Sequence, residues 1–164
     1  MMSPISFRTE AHSTDAAAIR EMVRATGFFS GEEIEIAGEL IDDRLANGAT
    51  SHYQFVFADT GQCEPVGYAC YGRIAGTACS FDLYWIVVHP SQQRGGVGRR
   101  LLSEAERLIA RVAGGAARIY VETSSRPQYE PTRAFYLRCG YRIEARLPDF
   151  YAPGDGKVIL VKSI

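Results

Sequence analysis

The stretch from Leu83 to Leu102 holds the residues whose order is most suggestive of chemistry. An apolar, strand-prone run, Leu83 to Val88, stops at His89-Pro90. A Gln-x-x-Gly-x-Gly turn then spans Gln93 to Gly98, and an amphipathic helix follows at once. This order aims several backbone N–H groups, and the positive end of a helix dipole, at one point just beyond a strand. Gly95, Gly96 and Gly98 matter because a side chain there would hold an anionic ligand away from those amides. The chemistry implied is the cradling of a pyrophosphate by the backbone of Arg94, Gly95, Gly96, Val97, Gly98 and Arg99. A lone Gly-x-Gly would suggest only a tight strand-to-helix turn; its place between a strand and a helix favours a ligand.

Two familiar cradles are excluded. A P-loop ends in Gly-Lys-Ser/Thr, whereas Gly98 is followed by Arg99-Arg100. A dinucleotide fingerprint needs Gly-x-Gly-x-x-Gly near the start of a βαβ unit, and here the spacing differs and about half the chain precedes the turn. The pattern instead resembles the acyl-CoA-binding signature of the GNAT superfamily of N-acetyltransferases: Val-x-Pro, a short spacer, Arg/Gln-x-x-Gly-x-Gly/Ala and an apolar helix. Val88-His89-Pro90, Gln93, Gly96 and Gly98 occupy those positions. A second motif agrees. Ala134-Phe135-Tyr136 followed by Gly140-Tyr141 is similar to the family's later Ala-x-x-Tyr-x-x-x-Gly-Phe/Tyr element, shifted only in its first spacing. Read from the residues, Pro131 suits a first helical turn and Gly140 a left-handed end, leaving about two turns with Tyr136 in the middle. Standing alone, Tyr136 could equally be an aromatic packing its ring on a sheet.

The resemblance implies acetyl-CoA as cofactor, held by Gln93 to Arg99 and by Ile86, Val87 and Val88 at the strand end. It implies acetyl transfer to an amine by direct attack. Near pH 7 an amine of pKa about 10 is protonated, so the site must accept a proton, stabilise an oxyanion and return a proton to the departing thiolate. Glu122 and Asp82 are the candidate bases. Glu122 lies in the apolar strand Ile119–Thr123, on the face of Tyr120, where a carboxylate tends toward a raised pKa. Some family members use a glutamate on this strand, and others place an acid where Asp82 stands. The resemblance also makes Tyr136 the acid for the thiolate and a backbone N–H near Val88 the oxyanion donor. Cys139 reads as a small hydrophobe facing the sheet, not a nucleophile.

One departure concerns the acceptor. Tyr129 stands where the family often has an asparagine contacting the cofactor, within a stiff Ser124–Glu130 connection. With the Asp149–Asp155 loop, this segment resembles a subgroup associated with small amino acids, D-alanine among them. Arg126, Tyr129, Phe150 and Tyr151 are therefore the expected acceptor contacts, with Arg126 gripping either a substrate carboxylate or a cofactor phosphate. The expected acceptor is a small-molecule amine, an amino acid first among them. Acetylation of protein N-termini or lysines, and a non-catalytic acyl-CoA-binding module, are the competing readings.

The elements that must position these residues follow from periodicity. Ile5–Thr9 reads as a strand; Ser13 or Asp15 caps a helix carrying Ile19, Met22 and Val23. Ser30 with Glu32-Glu33 opens a second helix striped by Ile34, Ala37, Leu40, Ile41 and Leu45, ended by Asn47-Gly48. Strands follow at 53–58, 66–74 and 80–88. The helix after the glycine turn faces inward with Val97, Leu101, Ala105, Leu108, Ile109 and Val112. A strand at 119–123, the Tyr136 helix, and paired strands at 141–145 and 158–162 around an Asp149–Gly156 loop complete the order βααβββαβαββ. This is an α/β fold, a mixed sheet with helices on both faces. The GNAT acyl-CoA N-acyltransferase fold has the same order, and the resemblance adds a splay between the fourth and fifth strands.

Composition bounds the rest. The chain has 164 residues, 46% hydrophobic and 23% charged, which suits a single domain over 1–164 with one core. A net charge of −1 argues against nucleic acid as a main partner. No run approaches the roughly 20 apolar residues of a membrane span, and residues 1–15 lack the apolar core of a signal peptide. Cys63, Cys70, Cys79 and Cys139 form no Cys-x-x-Cys pair, which suits reduced thiols in a cytoplasmic protein without a metal site. His12, His52 and His89 stand singly, in surface or hydrogen-bonded roles. The oligomeric state is open between monomer and homodimer.

Overall fold

In the computed structural model, which describes residues 4–61 and 64–164, the elements are β1 (Ser6–Arg8), α1 (Asp15–Ala25), α2 (Gly31–Asn47), β2 (Gln54–Asp59), β3 (Pro65–Arg73), β4 (Ser80–Val88), α3 (Val97–Ala113), β5 (Arg118–Ser124), α4 (Glu130–Arg138), β6 (Arg142–Ala152) and β7 (Asp155–Ser163). Their order is the expected one. The strands hydrogen-bond in the order β1-β2-β3-β4-β5-β7-β6. Cys63 lies outside the described residues. The chain folds as two compact units: Met1–Gly72 with Trp85–Leu108, and Arg73–Tyr84 with Ile109–Ile164.

In the first unit, β1, β2 and β3 form an antiparallel meander, with Phe7 opposite Ala58 and Phe57 opposite Tyr68. Alternation along β2 and β3 sends Phe55, Phe57, Tyr68 and Cys70 to one face. There they join Ile19, Met22 and Val23 of α1 and Ile34, Ala37 and Ile41 of α2 in one core cluster. Removing each of the Ile, Val, Met and Phe side chains among them from water contributes about 1.5–3 kcal/mol. The opposite face receives α3. Gly67 lets the backbones approach closely there: an added Cβ would stand 3.1 Å from the Val87 carbonyl and 3.5 Å from Leu101, so its neighbours would have to give way. Helix α2 begins with a capping box: the Ser30 hydroxyl accepts from the Glu33 N–H at 3.2 Å, and the Glu33 carboxylate accepts from the Ser30 N–H at 2.7 Å. Ser30→Ala should lower stability by about 1 kcal/mol, read as a lower urea midpoint at unchanged slope.

Helix α1 differs from expectation. Thr14 precedes it without a side-chain cap, and neither Ser13 nor Asp15 caps. Asp15 is instead buried and accepts both terminal nitrogens of Arg8 at 2.8 Å, together with the His12 N–H at 2.7 Å. Arg8 also reaches Asp59 through Nε at 2.5 Å. A bidentate charge-assisted pair outweighs a neutral cap, so the nearby arginine decides the role of Asp15. At the helix ends, Leu45 and Val112 are exposed, because each stripe outruns the surface it packs on.

In the second unit, β5 and β7 pair antiparallel over seven residues, from Arg118↔Ser163 to Ser124↔Lys157. The β4–β5 ladder is parallel and short, confined to Ser80–Asp82 against Arg118–Tyr120. Beyond Asp82 the two strands part, which is the expected splay. The β6–β7 hairpin is longer than expected. Where a loop was expected over Asp149–Gly156, β6 runs to Ala152 and β7 starts at Asp155. Pairing steps from Leu147↔Lys157 to Ala152↔Asp155, so the four residues 148–151 stand opposite Gly156 alone. Pro148 has no N–H to give a ladder, and Asp149 sits at φ +54°. The Asp149 carboxylate accepts the Gly154 N–H at 2.7 Å and closes the turn. Turn-forming residues thus made a bulge and a tight hairpin where they suggested an open loop.

Candidate active site

The glycine turn joins β4 to α3. After β4, a single 3₁₀ turn over Pro90–Gln92 leads to Gln93, whose side-chain amide donates to the Val88 carbonyl at 2.9 Å and ties the turn to the strand end. Arg94 lies at φ +64° and Gly96 at φ +80°. A Cβ added at Gly96 would meet nothing within 4 Å, so the space beside that backbone is open. The Arg100 N–H donates to the Gly96 carbonyl at 3.1 Å. The N–H groups of Val97, Gly98 and Arg99 precede that bond and have no acceptor within the helix. Val97, Leu101, Leu102 and Ala105 are buried and fix α3 beneath this fan of donors. Open space, unpaired amides and a helix dipole fit the pyrophosphate of a coenzyme. Arg94 was not foreseen in its conformation: a left-handed non-glycine costs roughly 1–2 kcal/mol. Ile86 and Val88 are half-buried and Val87 buried, all on β4 past the last pair with β5.

The second unit gathers the titratable candidates. Tyr136 is 3% exposed, and its ring meets Phe135 and Tyr141 edge-on at 5.3 Å each. Its position is set by the end of α4. The Tyr141 N–H donates to the Tyr136 carbonyl at 3.0 Å and the Gly140 N–H to Leu137 at 3.1 Å, with Gly140 at φ +90°. That is a Schellman ending, and the Tyr136–Tyr141 contact is its apolar clasp. At the other end, Arg133 donates to the carbonyls of Ser124 at 2.6 Å and Arg126 at 3.2 Å, tying α4 to β5. Burial pushes the Tyr136 phenol well above its ordinary value, with Cys139 adding to the shift. Cys139 ends the helix and is half-buried, as a small packing residue would be.

Glu122 is not enclosed as its apolar strand suggested. Its side chain is 47% exposed and its Oε2 lies 2.6 Å from Lys157 Nζ, whose side chain is only 12% exposed. Alternation gave the face, shared with Tyr120, but not that this face of β5 is the open one. Lys157 lies opposite Ser124, one diagonal step from Glu122, and its ammonium stands 3.8 Å from the Phe150 ring and 5.7 Å from Tyr151. Phe150 and Tyr151 pack edge-on at 5.0 Å on the bulge, each about half exposed. Partial burial, then the Glu122 and Asp155 charges, raises the Tyr151 phenol, with Tyr129 contributing last. Glu122, Lys157, Phe150 and Tyr151 therefore form one cluster. Asp82 is half-buried, opposite Tyr120 at the last β4–β5 pair.

Arg126 does not stand waiting for a ligand. Its Nε pairs with Asp155 at 3.0 Å, and Asp155, almost buried, also accepts the Ser124 hydroxyl at 2.5 Å. Tyr129 closes a 3₁₀ turn and immediately precedes α4. A cavity of about 280 Å³ adjoins the cluster, lined by residues including Ser125, Arg146 and Lys157. Lys157 and Asp155 escaped sequence reasoning, because only the β5–β7 pairing brings them beside Glu122 and Arg126. Among the described residues, no three His, Cys, Asp or Glu side chains gather as metal ligands would, and no helix is long and apolar enough to cross a membrane.

A cradle for an acyl carrier's pyrophosphate, a buried neutral phenol and an open carboxylate are parts an acetyl transfer to nitrogen needs. Residues 51–143, more than half of the chain, match the acetyltransferase (GNAT) domain family. The chain belongs to the GNAT acetyltransferases. A structure from Desulfovibrio desulfuricans, assigned to the same family, is 43% identical, covers 97% of this chain and 98% of its own, and superposes with a TM-score of 0.92. The fold is shared more distantly by the aminoglycoside 6'-N-acetyltransferase of Enterococcus faecium, 20% identical over 98% of this chain and 96% of that one, TM-score 0.74. It is also shared by the PaiA N-acetyltransferase of Thermoplasma acidophilum in complex with coenzyme A, 20% identical over 97% and 99%, TM-score 0.70. A search of curated proteins gives no significant match. This GNAT enzyme takes its acetyl group from acetyl-CoA. The cradle from Gln93 to Arg99 fits that coenzyme.

Proposed function

We propose that this acetyltransferase acts on the primary amine of a small molecule, an amino acid first among the candidates, by direct attack. The Glu122 carboxylate, set beside the half-exposed Phe150–Tyr151 pair, carries the reading. It offers an acceptor ammonium a counter-charge and two aromatic side chains. Acetyl-CoA supplies an activated acetyl carbonyl and a thiolate leaving group. Glu122 draws off the amine's proton as the nitrogen attacks, directly or through water. A backbone N–H near Val88 donates to the acetyl oxygen as its charge grows. Tyr136, held neutral by burial, gives its proton to the sulfur. Tyr129 flanks the acceptor, and Arg126, with Nε committed to Asp155, contributes through its remaining donors.

The test is an acetyl-CoA-dependent thiol-release screen over free amino acids, polyamines, aminoglycosides and short peptides. Free amino acids should be the fastest group; a preference for peptides would overturn the reading in favour of protein acetylation. Glu122→Gln should lower kcat/KM for the best amine by roughly 10- to 100-fold, at the modest end of general-base effects because water can relay the proton. A larger loss in Asp82→Asn than in Glu122→Gln would move the base to Asp82.

A further inference from the structure

The acceptor's place at Glu122 is already filled by a group of the acceptor's own kind. Lys157 Nζ stands 2.6 Å from Glu122 Oε2, 3.8 Å from the centre of the Phe150 ring and 5.7 Å from that of Tyr151. A carboxylate with aromatic rings beside it is a cage for an alkylammonium. The register explains why Lys157 enters it. Lys157 pairs with Ser124 across β5–β7 and with Leu147 across β6–β7. Its side chain therefore leaves the sheet on the face of Glu122, beside the bulge that carries both rings. Lys157 is mostly buried there, while the Glu122 carboxylate stays open to solvent.

We infer that Lys157 is a specificity-determining residue: its ammonium competes with the acceptor's for Glu122, and the acceptor binds by displacing it. The inference rests on the reading of Glu122 as the amine's partner. Two ammonium groups on one carboxylate repel each other, and the space between Glu122 and Phe150 is taken by the one already there. The competitor is tethered, so it acts at a high effective concentration. An acceptor's apparent affinity falls by the fraction of molecules in which Glu122 is free. This threshold acts as a filter. An amine that offers only its charge has little advantage over Lys157, whereas one whose other groups also meet the enzyme displaces it. The lysine content of the chain makes the exchange visible, because only two of its 18 basic residues are lysines, Lys157 and Lys162. Lys162, five residues on, points to the opposite face of β7, 5.7 Å from the Tyr141 ring centre.

Carbon-13 labelling of the lysine ε-methylenes in the whole protein gives two magnetic resonance signals, and Lys157→Arg assigns them. The Phe150 ring displaces the Lys157 signal from its ordinary position. The probe is n-butylamine, which carries the lysine side chain's four carbons and its ammonium. It should move the Lys157 signal back toward that position and leave Lys162 unmoved, and n-butanol should move neither. A Lys157 signal that stays put while n-butylamine shifts the Glu122 amide would overturn the inference, because both cations would then share the carboxylate. A second arm measures affinity. Lys157→Met keeps the length and apolar body of the side chain and should bind n-butylamine roughly 3- to 10-fold more tightly than the wild type. Lys157→Arg, which keeps the competing charge, should bind it no more tightly. KM for alanine should fall by the same factor in Lys157→Met. Equal or weaker n-butylamine binding there would overturn the competition and make Lys157 a support for Glu122; the wild-type titration does not depend on that variant's folding. Displacement of Lys157 together with full turnover in Glu122→Gln would uphold the competition and remove the reading of Glu122 as the base.

Discussion

Tyr136→Phe is expected to lower turnover by roughly 10²- to 10⁴-fold, the usual range for a removed general acid. The ring should keep its place, because it is held by Phe135, Tyr141 and the helix end, none of which needs the hydroxyl. Acetyl-CoA affinity should therefore be unaltered by calorimetry. The direction of the phenol's shift matters for its role. A group that is neutral when protonated, and whose proton affinity is raised by burial, stays protonated throughout the range in which an amine acceptor is assayed. Tyr136 thus has a proton to give at any such pH and should add no alkaline limb to the rate profile. Because the hydroxyl acts only as sulfur departs, kcat and kcat/KM should fall together. Full activity in Tyr136→Phe with an unactivated amine would make Tyr136 a packing residue.

Gly98→Val should weaken acetyl-CoA binding by roughly 30- to 1000-fold, about 2–4 kcal/mol, from the loss of one or two charge-assisted hydrogen bonds to the pyrophosphate. Gly98 lies in the first turn of α3, in a helical backbone that any residue can adopt, so valine there adds bulk without backbone strain. Helix propensity does not oppose the change, since glycine is the poorer helix former. Gly96 would be the worse probe. At φ +80° a β-branched residue is strained whatever the space around it, and a lost ligand could not be told from a reshaped turn. Unchanged affinity in a folded Gly98→Val protein, judged by circular dichroism and calorimetry, would remove the cradle.

What the sequence made legible is what local rules govern. The helix start at Ser30, the glycine turn before α3 and the helix end at Gly140 each place all their determinants within a few residues, and each element begins or ends where it was read. The misreadings involve partners distant in sequence. Asp15 looked like a cap, but Arg8, which also pairs with Asp59, takes it. Glu122 looked enclosed because its strand neighbours are apolar, but exposure depends on which face β7 and β6 leave open. Arg126 looked available because Asp155, 29 residues on, returns beside it only through the β5–β7 pairing. Pro148, Asp149, Pro153 and Gly154 signalled a loop, and local propensity could not show that strand pairing resumes between them at Ala152↔Asp155.

The bulge opposite Gly156 has a further consequence. Four residues of β6 stand against one of β7, with paired residues on both sides. The segment can lengthen, shorten or exchange its side chains without disturbing a hydrogen bond between β5 and β7, and so without displacing Glu122. On the proposed reading of Phe150, Tyr151 and Glu122, sequence drift there would alter which acceptor is welcomed while the β5 carboxylate keeps its place. A gene duplicate could change its diet through this short insertion alone, inheriting the chemistry intact.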